Sequence, residues 1–318
     1  MSIATNKAPR LYSIRPLTSK FGVECLGVDL AETDILKDKR FVEQIKDDLV
    51  KHRAVLFRKQ QLSGQRQVDI SNVLGTIEST FYKHPKSPHP DIFRVSNDED
   101  EGCTRVGRSG WHIDGTFQEM PFMYQTMYFP SVTKGGDTYF TPLKELFEGF
   151  SSKDQEYLNR LWMITGRRQA PVHPLVYKHP FRSGGNNNDD EATMLFHCGR
   201  SFVQGFYEEK KTNCTQIDAQ NWPSAECLNN MKFIPAEKIQ NLLTKTIQSR
   251  LDDIGLKMKW EAGDFMISDN LGLAHYATKG TQCESRSVGL RILHRTTIVG
   301  GPETVPQKVD GRRSFALA

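Results

Sequence analysis

Residues 256–298 read LKMKWEAGDFMISDNLGLAHYATKGTQCESRSVGLRILHRTTI. Apolar residues come here in short runs broken by polar turns, the spacing of consecutive strands. The pattern predicts strands over 256–260, 265–268, 273–276 and 287–298. Upstream, 11–14, 24–30, 54–57, 92–96, 111–114, 124–129 and 138–140 read the same way. Helices are fewer. Phe41, Val42, Ile45 and Leu49 recur at helical spacing within 34–51, and Ser63 caps a second helix over 64–74. Thr141-Pro142 opens a third, with Thr as cap. Pro235 starts a fourth, with Ile239, Leu242, Leu243, Ile247 and Leu251 as its stripe. Regular βαβ alternation is missing. The expected fold class is therefore mainly β with flanking helices, a sandwich or barrel-like core in one domain over 1–318, its core about 14–300.

Composition narrows the partners. The 318 residues carry 42 Lys plus Arg against 38 Asp plus Glu, a net charge of +4 scattered in short clusters. A nucleic-acid footprint needs basic residues gathered on one face, so no nucleic-acid partner is expected. No run approaches the ~18 apolar residues of a membrane helix, so no membrane partner is expected either. The cysteines at 25, 103, 198, 214, 227 and 283 form no CxxC pair and read as free thiols in a reducing compartment. The first residues show no signal-peptide pattern, which gives a cytoplasmic expectation; the Asn213-Cys214-Thr215 sequon then means little. Residues 182–191 (RSGGNNNDDE) have nothing to bury and are expected to form an exposed, mobile loop; the tail from 300 is a weak candidate for regular structure.

Chemistry-bearing residues sit at strand ends. In Trp111-His112-Ile113-Asp114, the imidazole and carboxylate leave the same face of a strand. A second histidine, His275, would complete a facial triad of two imidazoles and one carboxylate that holds ferrous iron with open positions. Taken alone, the pair equally describes an ordinary hydrogen bond. Arg291 and Arg295 are four apart and share a face of a regular strand. Facing the interior they would need anions, and a guanidinium grips a carboxylate by its fork; the competing arrangement turns them to solvent with Leu290, Ile292 and Ile298 inward.

The ordered set of motifs resembles the TauD/TfdA family of Fe(II)/2-oxoglutarate-dependent dioxygenases from roughly Ile14 to Gly300. The markers are GVDL at 27–30, AVLFR at 54–58, WHIDGTF at 111–117, Pro130 with GGDT at 135–138, HPLV at 173–176, Gly263-Asp264 with Asp269-Asn270, HYA at 275–277 and RILHR at 291–295. Thr138 follows His112 by 26 positions, as the family spacing requires. The resemblance implies a double-stranded β-helix (jelly roll). It implies that His112, Asp114 and His275 ligate Fe(II), and that Arg291 and Thr138 bind the distal carboxylate of 2-oxoglutarate. Arg295 falls where the taurine enzyme meets its anionic substrate, and Trp111 would line the pocket. Family chemistry decarboxylates 2-oxoglutarate with O2 and abstracts hydrogen from a nearby C–H, the cofactors carrying the difficult step. Asp114 argues against halogenation, because related halogenases lack that carboxylate.

Departures bear on the substrate. Arg291 follows His275 by 16 positions, a longer connection than in the taurine enzyme, and the extra 279–286 loop is expected at the rim. Arg108 replaces an asparagine of that enzyme, so Arg108 with Arg295 suggests a pocket for one or two carboxylates. His84 and His89 are further substrate-binding candidates. A fainter resemblance to red-algal kainoid synthases implies oxidative cyclisation of an N-prenylated glutamate derivative. Simple hydroxylation of an amino acid, sulfonate or other small carboxylate is the alternative, and a non-catalytic jelly-roll binder a third. Jelly-roll surfaces can also pair into homo-oligomers, for which the sequence marks no patch.

Overall fold

The four-residue run Ala54–Phe57 is buried throughout and is the hinge of the layering. In the computed structural model, which describes residues 9–78, 82–104, 106–107, 109–166, 171–183, 190–199, 201–210 and 222–316, side chains alternate across this strand. Val55 and Phe57 pack on Phe41, Ile45 and Leu49 of the helix Lys39–His52. Ala54 and Leu56 face Phe140, Met258 and Leu273 of a second sheet. Period-two alternation with both faces covered explains why the run is continuously apolar. Each large side chain so buried contributes about 1.5–3 kcal/mol of transfer free energy.

The larger sheet runs, in hydrogen-bonded order, Ser13–Pro16, Val23–Leu26, Ala54–Phe57, Asp264–Asp269, Phe122–Ser131, Ile292–Val299 and Thr76–Ile77, with Phe93–Ser96 also pairing to Ile292–Val299. Facing it is a three-stranded sheet of Leu256–Met258, Thr138–Pro142 and Leu273–Ala277. A further sheet carries Met231–Pro235, Val203–Glu209, Leu161–Thr165, Pro171–Pro174 and Phe315–Ala316, and Val176–Ser183 pairs with Asp190–Met194 as a hairpin. The helix Ala236–Ile254 lays Ile239, Leu243 and Ile247 on Leu161, Met163 and Phe206. No described helix is long and apolar enough to cross a membrane.

Most expected elements form, with informative differences. Ser63 caps the helix Gly64–Asn72 by accepting from the Arg66 N–H at 3.1 Å. Thr141 caps nothing: its strand continues to Pro142, which occupies the cap position, and its hydroxyl is buried without a partner. The stretch 287–298 divides into a helical turn, Ser285–Val288, and the strand Ile292–Val299, because Gly289 at φ +90° redirects the chain. Residues 111–114 form single bridges to two other segments in place of a regular strand. The polar insertion is anchored at both ends, since Arg182 is buried against Asp269 at 3.1 Å and Arg53 reaches Glu191 at 3.2 Å. Residues 184–189 within it, and the 213–215 sequon, lie outside the described residues. The tail docks as well: Phe315–Ala316 adds to the Pro171–Pro174 strand, while Lys308 and Arg312 ion-pair with Glu209.

Candidate active site

His112 and His275 are tied to each other through their main chains. The His112 N–H donates to the His275 carbonyl at 3.1 Å, and the His275 N–H donates back at 2.9 Å. This reciprocal bridge sets the ring centroids 4.3 Å apart. Asp114 faces both, with Oδ1 4.0 Å from His112 Nε2 and Oδ2 3.7 Å from His275 Nε2. Both separations are shorter than two metal–ligand bonds of roughly 2.1 Å laid end to end, and one ligand atom from each residue falls within a 4.8 Å cluster. A single cation fits this donor set.

The surroundings hold the three in place. Asn270, fully buried, accepts from the Asp114 N–H at 2.8 Å and donates to the Asp114 and Phe122 carbonyls at 2.9 and 2.7 Å. His112 Nδ1 lies 2.7 Å from the Gly110 carbonyl, which can only accept, so Nδ1 carries the ring proton and Nε2 offers a lone pair towards Asp114. Gly110 adopts φ +70° to present that carbonyl. Burial pushes His275 down to about 3, helped by neighbouring His112, and lowers His112 too. Burial opposes charge on Asp114, yet the Arg295 guanidinium and then both imidazoles hold its carboxyl well below the usual range. Neutral imidazoles beside an ionised carboxylate are the protonation states that metal binding needs.

A third histidine joins them. His197 stacks on His112 with centroids 4.7 Å apart and on Phe202 at 4.1 Å. The Gly199 N–H donates to its Nδ1 at 2.9 Å. Nothing in the stretch LFHCGR marks this residue, whose proximity arises from the backbone bridge between the His112 and His197 segments.

The triad opens on a cavity of about 580 Å³, also lined by Thr138, Arg291 and Arg295. Arg291 is buried and makes no ion pair among the described residues; its Nε reaches only the Gly136 carbonyl at 3.4 Å. Burial lowers its guanidinium to about 10, with Asp137 opposing. A buried guanidinium at a cavity wall without an ion pair favours an incoming anion. The Thr138 hydroxyl accepts from Trp260 Nε1 at 3.0 Å, which leaves its own hydrogen to donate. Arg295 Nη1 pairs with Asp114 Oδ2 at 2.8 Å, and the guanidinium lies over the Phe93 ring.

Other candidates are placed differently. Trp111 packs into the apolar core against Tyr139 and Tyr276 and does not line the cavity. Burying its large ring away from water outweighs keeping it at the wall. His84 Nε2 bonds to the Glu99 carbonyl in the next loop and His89 Nδ1 accepts from the Asp91 N–H; both stand off the cavity wall. Arg108 lies outside the described residues. Thr281 and Gln282 of the 279–286 loop do line the cavity.

The model of the family described as "Taurine catabolism dioxygenase TauD, TfdA family" matches residues 13–297. The chain belongs to the TauD/TfdA family. Among TauD/TfdA relatives, an alpha-ketoglutarate-dependent sulfate ester dioxygenase of Pseudomonas putida is 26% identical, covering 98% of this chain and 97% of that one. An alpha-ketoglutarate-dependent sulfonate dioxygenase of Saccharomyces cerevisiae is 24% identical, covering 83% and 62%. The solved structure of a taurine dioxygenase from Burkholderia xenovorans superposes with a TM-score of 0.68 at 25% identity, covering 96% and 95%. The fold is thus the jelly roll of TauD/TfdA enzymes, and the protein is a dioxygenase using Fe(II), 2-oxoglutarate and O2. Neither of the two curated relatives is a cyclase by name, and hydroxylation fits them better than ring closure.

Proposed function

We propose that this TauD/TfdA dioxygenase abstracts hydrogen from a small anionic substrate and hydroxylates it, with His112, Asp114 and His275 holding Fe(II) and Arg291 with Thr138 holding the distal carboxylate of 2-oxoglutarate. The observation that carries the reading is the conjunction, on one cavity, of a three-ligand cluster and a buried guanidinium that makes no ion pair among the described residues. Iron(II) with 2-oxoglutarate and O2 supplies the oxidising power for C–H cleavage when bound. The chain supplies position. The Arg291 fork and the Thr138 hydroxyl orient one end of the cosubstrate. Asn270 and the Gly110 carbonyl hold two ligands at fixed angles.

Arg295 addresses the substrate. Its Nη1 is committed to Asp114, whereas Nη2 has no hydrogen-bond partner among the described residues and serves an incoming carboxylate or sulfo group. Phe93, Val95, Phe117, Phe122 and Leu293 give that cavity an apolar wall for the remainder of the molecule. An anion with an apolar body also describes many sulfate esters and sulfonates, the substrate classes named for the relatives.

Anaerobic titration with Fe(II) and 2-oxoglutarate should give a weak visible charge-transfer band, lost in His275→Ala. A panel of anionic amino acids, carboxylates, sulfonates and sulfate esters, read by substrate-triggered succinate release and product mass, then tests the outcome. A gain of sixteen mass units, or the fragments of a hydroxylated ester, supports hydroxylation. A loss of two overturns it in favour of ring closure or desaturation, the N-prenylated glutamate chemistry included. Silence throughout, without the band, leaves a binding protein.

A further inference from the structure

Gln125 is buried in the strand Phe122–Ser131, on the face turned towards the three-stranded sheet. Its Nε2 is placed 3.5 Å from His275 Nδ1, while its Oε1 is buried with no partner among the described residues. A buried amide oxygen without a donor loses its water and gains nothing in return, which destabilises the fold. The two ends of an amide have nearly the same shape and are assigned from their hydrogen bonds.

The chemistry at His275 decides between the ends. Its Nε2 is the atom facing Asp114, at 3.7 Å. A metal on Nε2 needs the lone pair there, so the neutral ring must carry its proton on Nδ1. An Nδ1–H requires an acceptor, and an amide NH2 is a donor only. Turning the Gln125 amide by 180° gives the Nδ1–H its acceptor and Oε1 a donor in one hydrogen bond, and moves the NH2 to the place Oε1 held. The other ligand ring already shows the same arrangement, with His112 Nδ1–H on the Gly110 carbonyl.

We infer that Gln125 is a positioning residue for the metal centre, its Oε1 accepting the His275 Nδ1–H and fixing the tautomer that presents Nε2 to the ion. Gln125 touches no reacting atom. It acts through His275, and this role rests on the metal reading proposed above.

The test is Co(II) affinity, read from visible d–d absorbance on the full chain without cosubstrate. Gln125→Met, which fills the volume but cannot accept, should weaken binding 10- to 100-fold, the usual cost of losing a partner behind a ligand. Gln125→Glu, which accepts, should restore affinity to within threefold of wild type. If Gln125→Met binds Co(II) within twofold of wild type, Gln125 is packing only and the inference falls while the metal site stands. If wild type itself binds no Co(II), the metal reading fails and takes the inference with it. Should Gln125→Met not fold, 1H–15N NMR of zinc-loaded wild type decides. A proton on His275 Nδ1 that is protected from exchange supports the bond; an unprotonated or freely exchanging Nδ1 overturns it.

Discussion

Arg295 and Asp114 form an ion pair of 2.8 Å inside the cavity, between the residue expected to meet substrate and a residue expected to ligate metal. Asp114 Oδ1 faces His112 while Oδ2 faces both His275 and Arg295, so one carboxylate touches the ligand cluster and the guanidinium together. Replacing Arg295 with Met removes the guanidinium that most lowers the Asp114 carboxyl and leaves the two ligand imidazoles beside it. The expected result is a KM for the anionic substrate raised at least tenfold with Co(II) affinity unchanged or tighter. Lost metal with an unaltered KM would break the assignment.

Arg291 offers a test in which stability and function move apart. It is a buried cation with no carboxylate in ion-pair contact among the described residues, and such a group costs stability. Arg291→Met should therefore melt at the same temperature as wild type or higher. In wild type, added 2-oxoglutarate should raise the melting temperature; in the variant that rise should vanish. A variant still protected by 2-oxoglutarate would remove Arg291 from the cosubstrate site.

Asn270→Ala deletes three hydrogen bonds to main-chain groups of Asp114 and Phe122. We expect about 2–4 kcal/mol lost in urea unfolding, together with weaker Co(II) binding because the Asp114 backbone is released. Unchanged affinity in the folded variant would show that Asp114 is held by other means.

Acid sensitivity follows from buried histidines outside the triad. Burial holds His173 and His294 each down to about 4, and His294 Nε2 sits 2.7 Å from the Arg94 guanidinium, which can only donate to it. Above pH 6.5 folded and unfolded chains both leave these rings neutral. As pH falls from 6.5 towards 4, the unfolded chain binds protons the folded one refuses, so stability falls by up to about 3 kcal/mol per ring. Urea midpoints at pH 7 and pH 5 measure this, and His294→Gln should flatten the slope by one ring's share.

That His112, Asp114 and His275 cluster, and that Arg291 and Thr138 line the same cavity, was legible because each sits in a short motif whose local pattern survives in the fold. The strand Ala54–Phe57 was legible to the residue, since four apolar side chains between turns have few other uses. His197 and Gln125 were not, because their roles depend on what lies across a bridge or a sandwich, which no local spacing encodes. Leu161–Thr165 was missed for a related reason: it is buried on both faces and shows no alternation. Arg182 read as surface because it opens a stretch rich in glycine and asparagine, whereas its partner Asp269 lies 87 positions away.

That buried pairing has a practical side. Strands Val176–Ser183 and Asp190–Met194 are clamped to the body by Arg182 on Asp269 and Glu191 on Arg53, and Asp269 closes the turn that leads to His275. A change at Arg182 would thus be felt well beyond its own hairpin, loosening the approach to the reaction centre from a residue that stands far outside it.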